Sequence, residues 1–220
     1  GRIITFGTRE NCDIIGNNLE VSGYSGRLTL EGRLVEVPLA GRASLMNVLT
    51  VWSVCKDLKI ALSDFCSIIG LLKPISMRLE VIRSGEMTIL NDCYNANPAS
   101  MANALDCLAA FGGGGERRLV FIAGTMKELG EQSPALHAEL GQRSAEAGVG
   151  LLLCVGPFAE DTAGGALQQC DQIEVHTFEN TDLLCNNLHK YLRGDDIVLV
   201  KGSRAAGLEK AVEVILKCKA

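Results

Sequence analysis

Asn91-Asp92-Cys93-Tyr94-Asn95-Ala96-Asn97-Pro98 follows the apolar run Met87 to Leu90 and opens a stretch with helical apolar spacing. Much later, Lys201-Gly202-Ser203-Arg204 repeats that arrangement after Ile197 to Val200. A strand that ends in polar residues and turns into a helix is the repeating unit of a parallel α/β sheet, and such sheets bind ligands beyond the carboxyl ends of their strands. Both stretches therefore belong on one rim. No G-x-x-x-x-G-K-[ST] phosphate loop occurs anywhere in the 220 residues.

Working outward, strand-like runs at Leu79 to Ile82 and Met87 to Leu90 form a hairpin about Ser84-Gly85, and further runs lie at Leu119 to Ala123, Leu151 to Val155, Ile173 to Thr177 and Ile197 to Val200. Helices fill the gaps. The first carries Met101, Ala104, Leu105, Leu108 and Ala109 on one stripe, with Asn97 as N-cap and Pro98 at the first helical position. The next is expected to start by the same grammar at Ser133-Pro134 and to end at Gly148; others are expected over Phe158 to Gln168, Asn180 to Leu192 and Ala205 to Leu216. Strands alternating with helices of this length imply a Rossmann-like, mostly parallel sheet with helices on both faces. The glycines Gly112 to Gly115 precede a strand and open no helix, so they read as a flexible connector.

The first 76 residues have a different texture. Short strands are expected at Arg2 to Phe6, Leu28 to Leu30 and Leu34 to Val37, with turns at Asn17-Asn18, Ser22-Gly23 and Glu31-Gly32. A largely buried helix follows over Ser44 to Leu58, then a second over Ser63 to Leu72. Lys73-Pro74-Ile75-Ser76 breaks the pattern and marks a domain boundary, giving domains 1–76 and 77–220.

A net charge of −5 with scattered basic residues argues against nucleic acid or an anionic membrane as partner, while leaving room for a small anionic ligand. No apolar run approaches the ~18 residues of a transmembrane helix, and no signal peptide is recognisable. The nine cysteines include no C-x-x-C pair, so reduced thiols and a cytoplasmic setting are expected. The chain lacks an initiator Met and begins in a strand-like run, which suggests a piece of something longer. There is no H-E-x-x-H, no Cys-His cluster with ligand spacing, no G-x-S-x-G and no G-x-G-x-x-G after the first strand, so neither a metal nor a catalytic nucleophile is assigned.

Asp92, at a strand end before a helix, suits ribose hydroxyls, and is equally a common turn residue. Lys201 to Arg204 offers two cations and a hydroxyl as an anion or carboxylate receptor, or a solvated turn with Ser203 as N-cap. Glu128 lies on a loop after a central strand. His137, in the first turn of its helix, reads as a packing or cap residue, because the positive helix end disfavours the imidazolium.

Together these stretches resemble the Mur ligase family of peptidoglycan synthesis, in its D-alanyl-D-alanine-adding form. Asp92 to Met101 is similar to D-x-Y-N-A-N-P-x-S-M. Gly124 to Gly130 with Ser133 and His137 is similar to G-D-M-x-E-L-G-x-x-S-x-x-x-H, and Lys201 to Arg204 with Glu209 to K-G-S-R-x-x-x-x-E. Arg78-Leu79-Glu80 resembles the R-M-E opening of the third domain, and Gly41 and Asn47 the ends of G-x-H-N-x-x-N. Ala43-Ser44, Asn91, Thr125 and Met77 depart from the pattern, standing where the family has His-Asn, an acid, Asp and Gly.

The resemblance implies that residues 1–76 are the β-rich and helical end of the central ATPase domain and 77–220 the complete third domain, the phosphate loop and uridine-nucleotide domain lying elsewhere. It implies ATP and, in a full-length parent, Mg2+; a UDP-muramoyl peptide and D-alanyl-D-alanine as partners; and an acyl phosphate attacked by the dipeptide amine. It places Asn47 on the adenine, Arg78 on the phosphates or ribose and Asp92 on the ribose. Tyr94, Asn95, Asn97, Glu128, Lys201, Ser203 and Arg204 surround the dipeptide, and Lys73 to Met77 serve as hinge. The chain alone is expected to be inactive. Another Mur or folylpolyglutamate-type ligase, and a non-catalytic module derived from one, stay open as alternatives.

Overall fold

The computed structural model describes residues 2–112 and 117–217. Gly113 to Gly115 and Cys218, on which two of the expectations fall in whole or part, lie outside the described residues. The chain divides into two compact units, Gly1–Pro74 and Ile75–Ala220.

The first unit is a four-stranded sheet in the order β1-β2-β3-β4 followed by two helices. Strands β2 (Ile14–Ser22), β3 (Ser25–Leu30) and β4 (Arg33–Val37) form an antiparallel meander, and the two-residue β1 (Phe6–Gly7) pairs parallel with β2. The sequence expectation missed β2. Asn17-Asn18 is no turn: Asn18 takes φ 50° inside the strand, where the register with β3 slips between Asn17 and Glu20, so a bulge carries the turn-like residues. Glu31 and Gly32, at φ 49° and 80°, make the tight β3–β4 turn as expected. Helices α1 (Arg42–Asp57) and α2 (Leu62–Ile69) cover the sheet with Leu45, Leu49, Trp52 and Phe65, and the two aromatic rings meet at 5.0 Å.

The second unit holds a six-stranded sheet in the order β5-β6-β10-β7-β8-β9. Strand β5 (Glu80–Ser84) is an antiparallel edge on β6 (Met87–Asp92); β7 (Leu119–Gly124), β8 (Leu151–Val155), β9 (Glu174–Phe178) and β10 (Ile197–Lys201) continue in parallel. Strands β7, β8 and β10 are buried at every residue, which is why they read as continuous apolar runs. Helices α6 (Thr181–Tyr191) and α7 (Glu209–Lys217) pack on one face through Leu184, Leu188, Val212 and Ile215 against Ile89, Ile122, Leu153 and Val200. The alternate residues Leu90, Phe121, Leu152 and Leu199, also fully buried, point to the opposite side. There α3 (Pro98–Gly112), α4 (Ser133–Glu146) and α5 (Ala159–Gln169) form the second layer. Helices α4 and α5 touch backbone to backbone: a Cβ on Gly141 would overlap the Thr162 carbonyl, and one on Gly165 the Ala138 carbonyl.

Two helix starts differ from expectation. Ser133 is already helical and donates its hydroxyl to the Gly130 carbonyl, because a 3-10 turn over Gly130–Gln132 precedes α4. Residues Arg204–Ala206 form a 3-10 turn ended by Gly207 at φ 64°, so α7 begins only at Glu209 and Ser203 makes no side-chain cap. Asn97 caps as expected, accepting from the Ser100 amide at 2.8 Å, and Asn180 likewise caps α6, accepting from the Leu183 amide at 2.9 Å.

Candidate functional site

Asp92 and Lys201 are register partners at the carboxyl ends of β6 and β10, and Ala123 of β7 flanks Lys201 on the other side. The insertion of β10 between β6 and β7 thus brings three loops to one rim. The Lys201 ammonium, on a side chain only 2% exposed, donates to Asp92 Oδ2 at 2.6 Å and to the Asn95 carbonyl at 2.9 Å. It braces the β6–α3 loop from below. Asp92 Oδ1 accepts from the Leu79 amide at 3.0 Å, which leaves each carboxylate oxygen a second lone pair for an incoming hydroxyl.

The segment entering β5 is tied to the same loop. The Met77 carbonyl accepts from the Tyr94 amide at 3.1 Å, and the Arg78 guanidinium lies 4.2 Å over the exposed Tyr94 ring, a cation–π contact worth about 0.5–1 kcal/mol at a solvated site. Glu80 Oε2 accepts from Ser76 Oγ, the Met77 amide and Asn91 Nδ2, each at 3.1 Å. An amide at position 91 is therefore a donor to Glu80 where an acid would set two carboxylates side by side. Met77 and Leu79 hold φ 63° and 49°, conformations that cost a residue with a side chain on the order of 1 kcal/mol, and a glycine at position 77 would relieve the first. Cys93 is fully buried, and burial, followed by the Glu209 carboxylate, pushes its thiol up to about 12; it packs rather than reacts.

On the opposite side of Lys201, Ser203 is 3% exposed and its hydroxyl is buried with no hydrogen-bond partner among the described residues. Its amide donates to the Thr125 carbonyl at 3.0 Å. Gly124 and Gly202 make this approach possible, since a Cβ on Gly202 would stand 3.0 Å from Gly124 Cα. Arg204 is exposed and, among the described residues, its guanidinium donates a hydrogen bond only to the Met77 sulfur, at 3.4 Å, so its fork remains able to take a carboxylate. Asn95 Oδ1 accepts from the Ala96 amide at 2.8 Å. Glu128 is exposed on the β7–α4 loop at φ 66° and makes no hydrogen bond or ion pair among the described residues.

The rim thus gathers Arg78, Asp92, Tyr94, Asn95, Asn97, Lys201, Ser203 and Arg204, with Glu128 on the third loop. Asn97 is committed to its cap, exchanging bonds with Ser100 through Oδ1 and its own amide. Asn47 lies in the other unit, exposed on α1, where it lines a cavity of about 430 Å³ together with Val48, Val51, Phe65 and Ile69. The sequence reading gave neither Glu80 nor Thr125 a role at the site. Glu80 was visible only as the end of Arg78-Leu79-Glu80, and Thr125 acts through its backbone, which no side-chain pattern announces.

Residues 77–204 match the family model described as "Mur ligase, glutamate ligase domain". Among curated proteins, the UDP-N-acetylmuramoyl-tripeptide–D-alanyl-D-alanine ligase of Bacillus subtilis is 29% identical over 97% of this chain and 47% of its own length. The ligase of the same name from Escherichia coli is 29% identical over 93% and 45%. The chain spans about half the length of the curated relatives it matches. In fold it resembles MurF from Acinetobacter baumannii, with a TM-score of 0.86 and 23% identity over 98% of this chain and 47% of that one. MurF from Thermotoga maritima, solved with ADP, gives 0.77 and 24% over 97% and 48%. With residues 77–204 matched and their strand-end motifs converging on a single rim, this chain belongs to the Mur ligase family.

Proposed function

We propose that the chain is part of a cytoplasmic, ATP-dependent amide ligase that joins D-alanyl-D-alanine to a UDP-N-acetylmuramoyl-tripeptide, with residues 1–76 the end of the central ATPase domain and 77–220 the third domain. The observation that carries it is the Asp92–Lys201–Asn95 bridge, which holds a ribose-binding carboxylate and an acceptor-binding loop in one fixed relation. The relatives' names supply the substrate class.

ATP supplies the phosphoryl group that activates the tripeptide carboxylate, and the dipeptide amine displaces phosphate from it. The work of this chain is orientation, which is what joining two bound reactants chiefly needs. Asp92 accepts the ribose hydroxyls with its free lone pairs, and Arg78 faces the nucleotide from beside Tyr94. Asn47 meets the adenine. The Arg204 fork takes the dipeptide carboxylate, the partnerless Ser203 hydroxyl finds its partner there, and Tyr94, Asn95 and Lys201 shape the wall. Glu128 receives the ammonium end of the dipeptide. No three His, Cys, Asp or Glu side chains gather as a metal site among the described residues, and no residue of this chain is assigned to Mg2+.

The test is product formation. A full-length parent enzyme should convert UDP-muramoyl tripeptide, D-alanyl-D-alanine and ATP to the pentapeptide and ADP, while the 220-residue chain alone should release no ADP. Product with a different acceptor, or turnover by the chain alone, would overturn the reading.

A further inference from the structure

His137, on α4, is 2% exposed and has both ring nitrogens engaged by backbone: Nδ1 lies 2.6 Å from the Ser133 carbonyl and Nε2 3.0 Å from the Met126 amide. A carbonyl only accepts and an amide N–H only donates, so Nδ1 carries the proton and Nε2 is bare. Met126 is in the loop after β7. The residue before it, Thr125, receives the Ser203 amide on its carbonyl at 3.0 Å, and a little further on Glu128 sits at φ 66°. With Gly124 and Gly202 pressed together beneath, a displaced Met126 amide displaces Ser203 with little slack between them.

We propose that His137 is a positioning residue of the ligand rim: its bare Nε2 fixes Met126 and, through the Thr125 carbonyl, sets both the Ser203 backbone and the station of Glu128. That the rim so positioned serves an amine-bearing dipeptide acceptor rests on the ligase reading above; the relay itself does not. The ring is held from the side by Phe158, stacked at 4.7 Å, and the charged group whose field reaches it is Asp161 of α5. Burial keeps the imidazole below its ordinary range, against the opposing pull of the Ser133 carbonyl and Asp161, so the acceptor nitrogen is available at neutral pH.

Amide hydrogen exchange on the 220-residue chain tests the relay. In His137→Ala the Met126 and Ser203 amides should exchange faster by about tenfold or more, with Ile122 and Val198 unchanged. In His137→Gln, whose side-chain carbonyl can accept from Met126, both should return to within about threefold of wild type. Release of Met126 without Ser203, no change at either, or equal loss at Ile122 and Val198 overturns the proposal. If His137→Ala does not fold, acid titration decides: the Met126 and Ser203 resonances should follow the His137 ring in the wild type and stay still in His137→Gln, and movement in both contradicts the relay. In a full-length parent enzyme, His137→Gln should preserve the acceptor KM and His137→Ala should raise it about tenfold with the ATP KM within about twofold, whereas equal rises in both overturn the acceptor assignment. A wild type without ligase activity would count against the ligase reading, while the exchange result still stands or falls alone.

Discussion

Lys201 and Asp92, partners in register on adjacent parallel strands, are joined by an ion pair of 2.6 Å in which the lysine side chain is 2% and the aspartate 16% exposed. Removing one member of such a pair strands the other charge. Lys201→Met should therefore lower the unfolding free energy by about 3 kcal/mol, since Asp92 keeps some access to water. Adding Asp92→Asn should bring back part of that loss, so that the two changes together cost less than their sum. Denaturant midpoints at unchanged slope measure both.

Asn91 donates to the carboxylate of Glu80, which also holds Ser76 and the Met77 amide. Asn91→Asp replaces a donor with a like charge and should destabilise the chain by about 1–3 kcal/mol at neutral pH. Thermal unfolding of wild type and variant at neutral pH checks this.

Met77 at φ 63° supplies a case in which glycine should outperform alanine. Both Met77→Ala and Met77→Gly lose the contact with Arg204 and the packing on the sheet, but only glycine releases the backbone. Met77→Gly should be the more stable of the two by about 1 kcal/mol, the reverse of the usual order.

Gly165→Ala tests the α4–α5 contact. The added methyl would overlap the Ala138 carbonyl, and backbone cannot move aside as a flexible side chain does. A loss of about 3 kcal/mol is expected, with Gly164→Ala, where nothing lies within 4 Å, near neutral or stabilising.

The pH dependence of stability carries a signature of His137. Its folded value lies below the ordinary 6.5, so between the two values the unfolded chain binds a proton that the folded chain refuses, and stability rises with pH. The full contribution is present above the unfolded value; it is lost progressively as pH falls through about 6.5 and levels off below the depressed folded value. The difference between wild type and His137→Gln, followed by denaturant unfolding across this window, should show that step.

Much of this architecture could be read from the residues because local and tertiary preferences agree. Strands β7, β8 and β10 are buried on both faces and so are apolar throughout; Asn97 and Asn180 cap helices whose apolar stripes face the sheet. Strand β2 was illegible because a bulge at Asn18 places turn-forming residues inside it. The start of α7 was misplaced because Gly207 in the left-handed region interrupts an otherwise helical pattern. At the site, the side chains that define the rim were nameable from sequence, whereas their connections run largely through the backbone of Leu79, Asn95 and Thr125, which composition does not reveal.

The shared rim is tested most directly by titrating the isotope-labelled 220-residue chain with ADP and then with D-alanyl-D-alanine while following its backbone amides. Perturbations should appear together on Asp92 to Asn97 and on Lys201 to Arg204, and Asp92→Asn should weaken the ADP response by about tenfold. Responses confined to one of those loops, or an ADP response indifferent to Asp92→Asn, would contradict a common site.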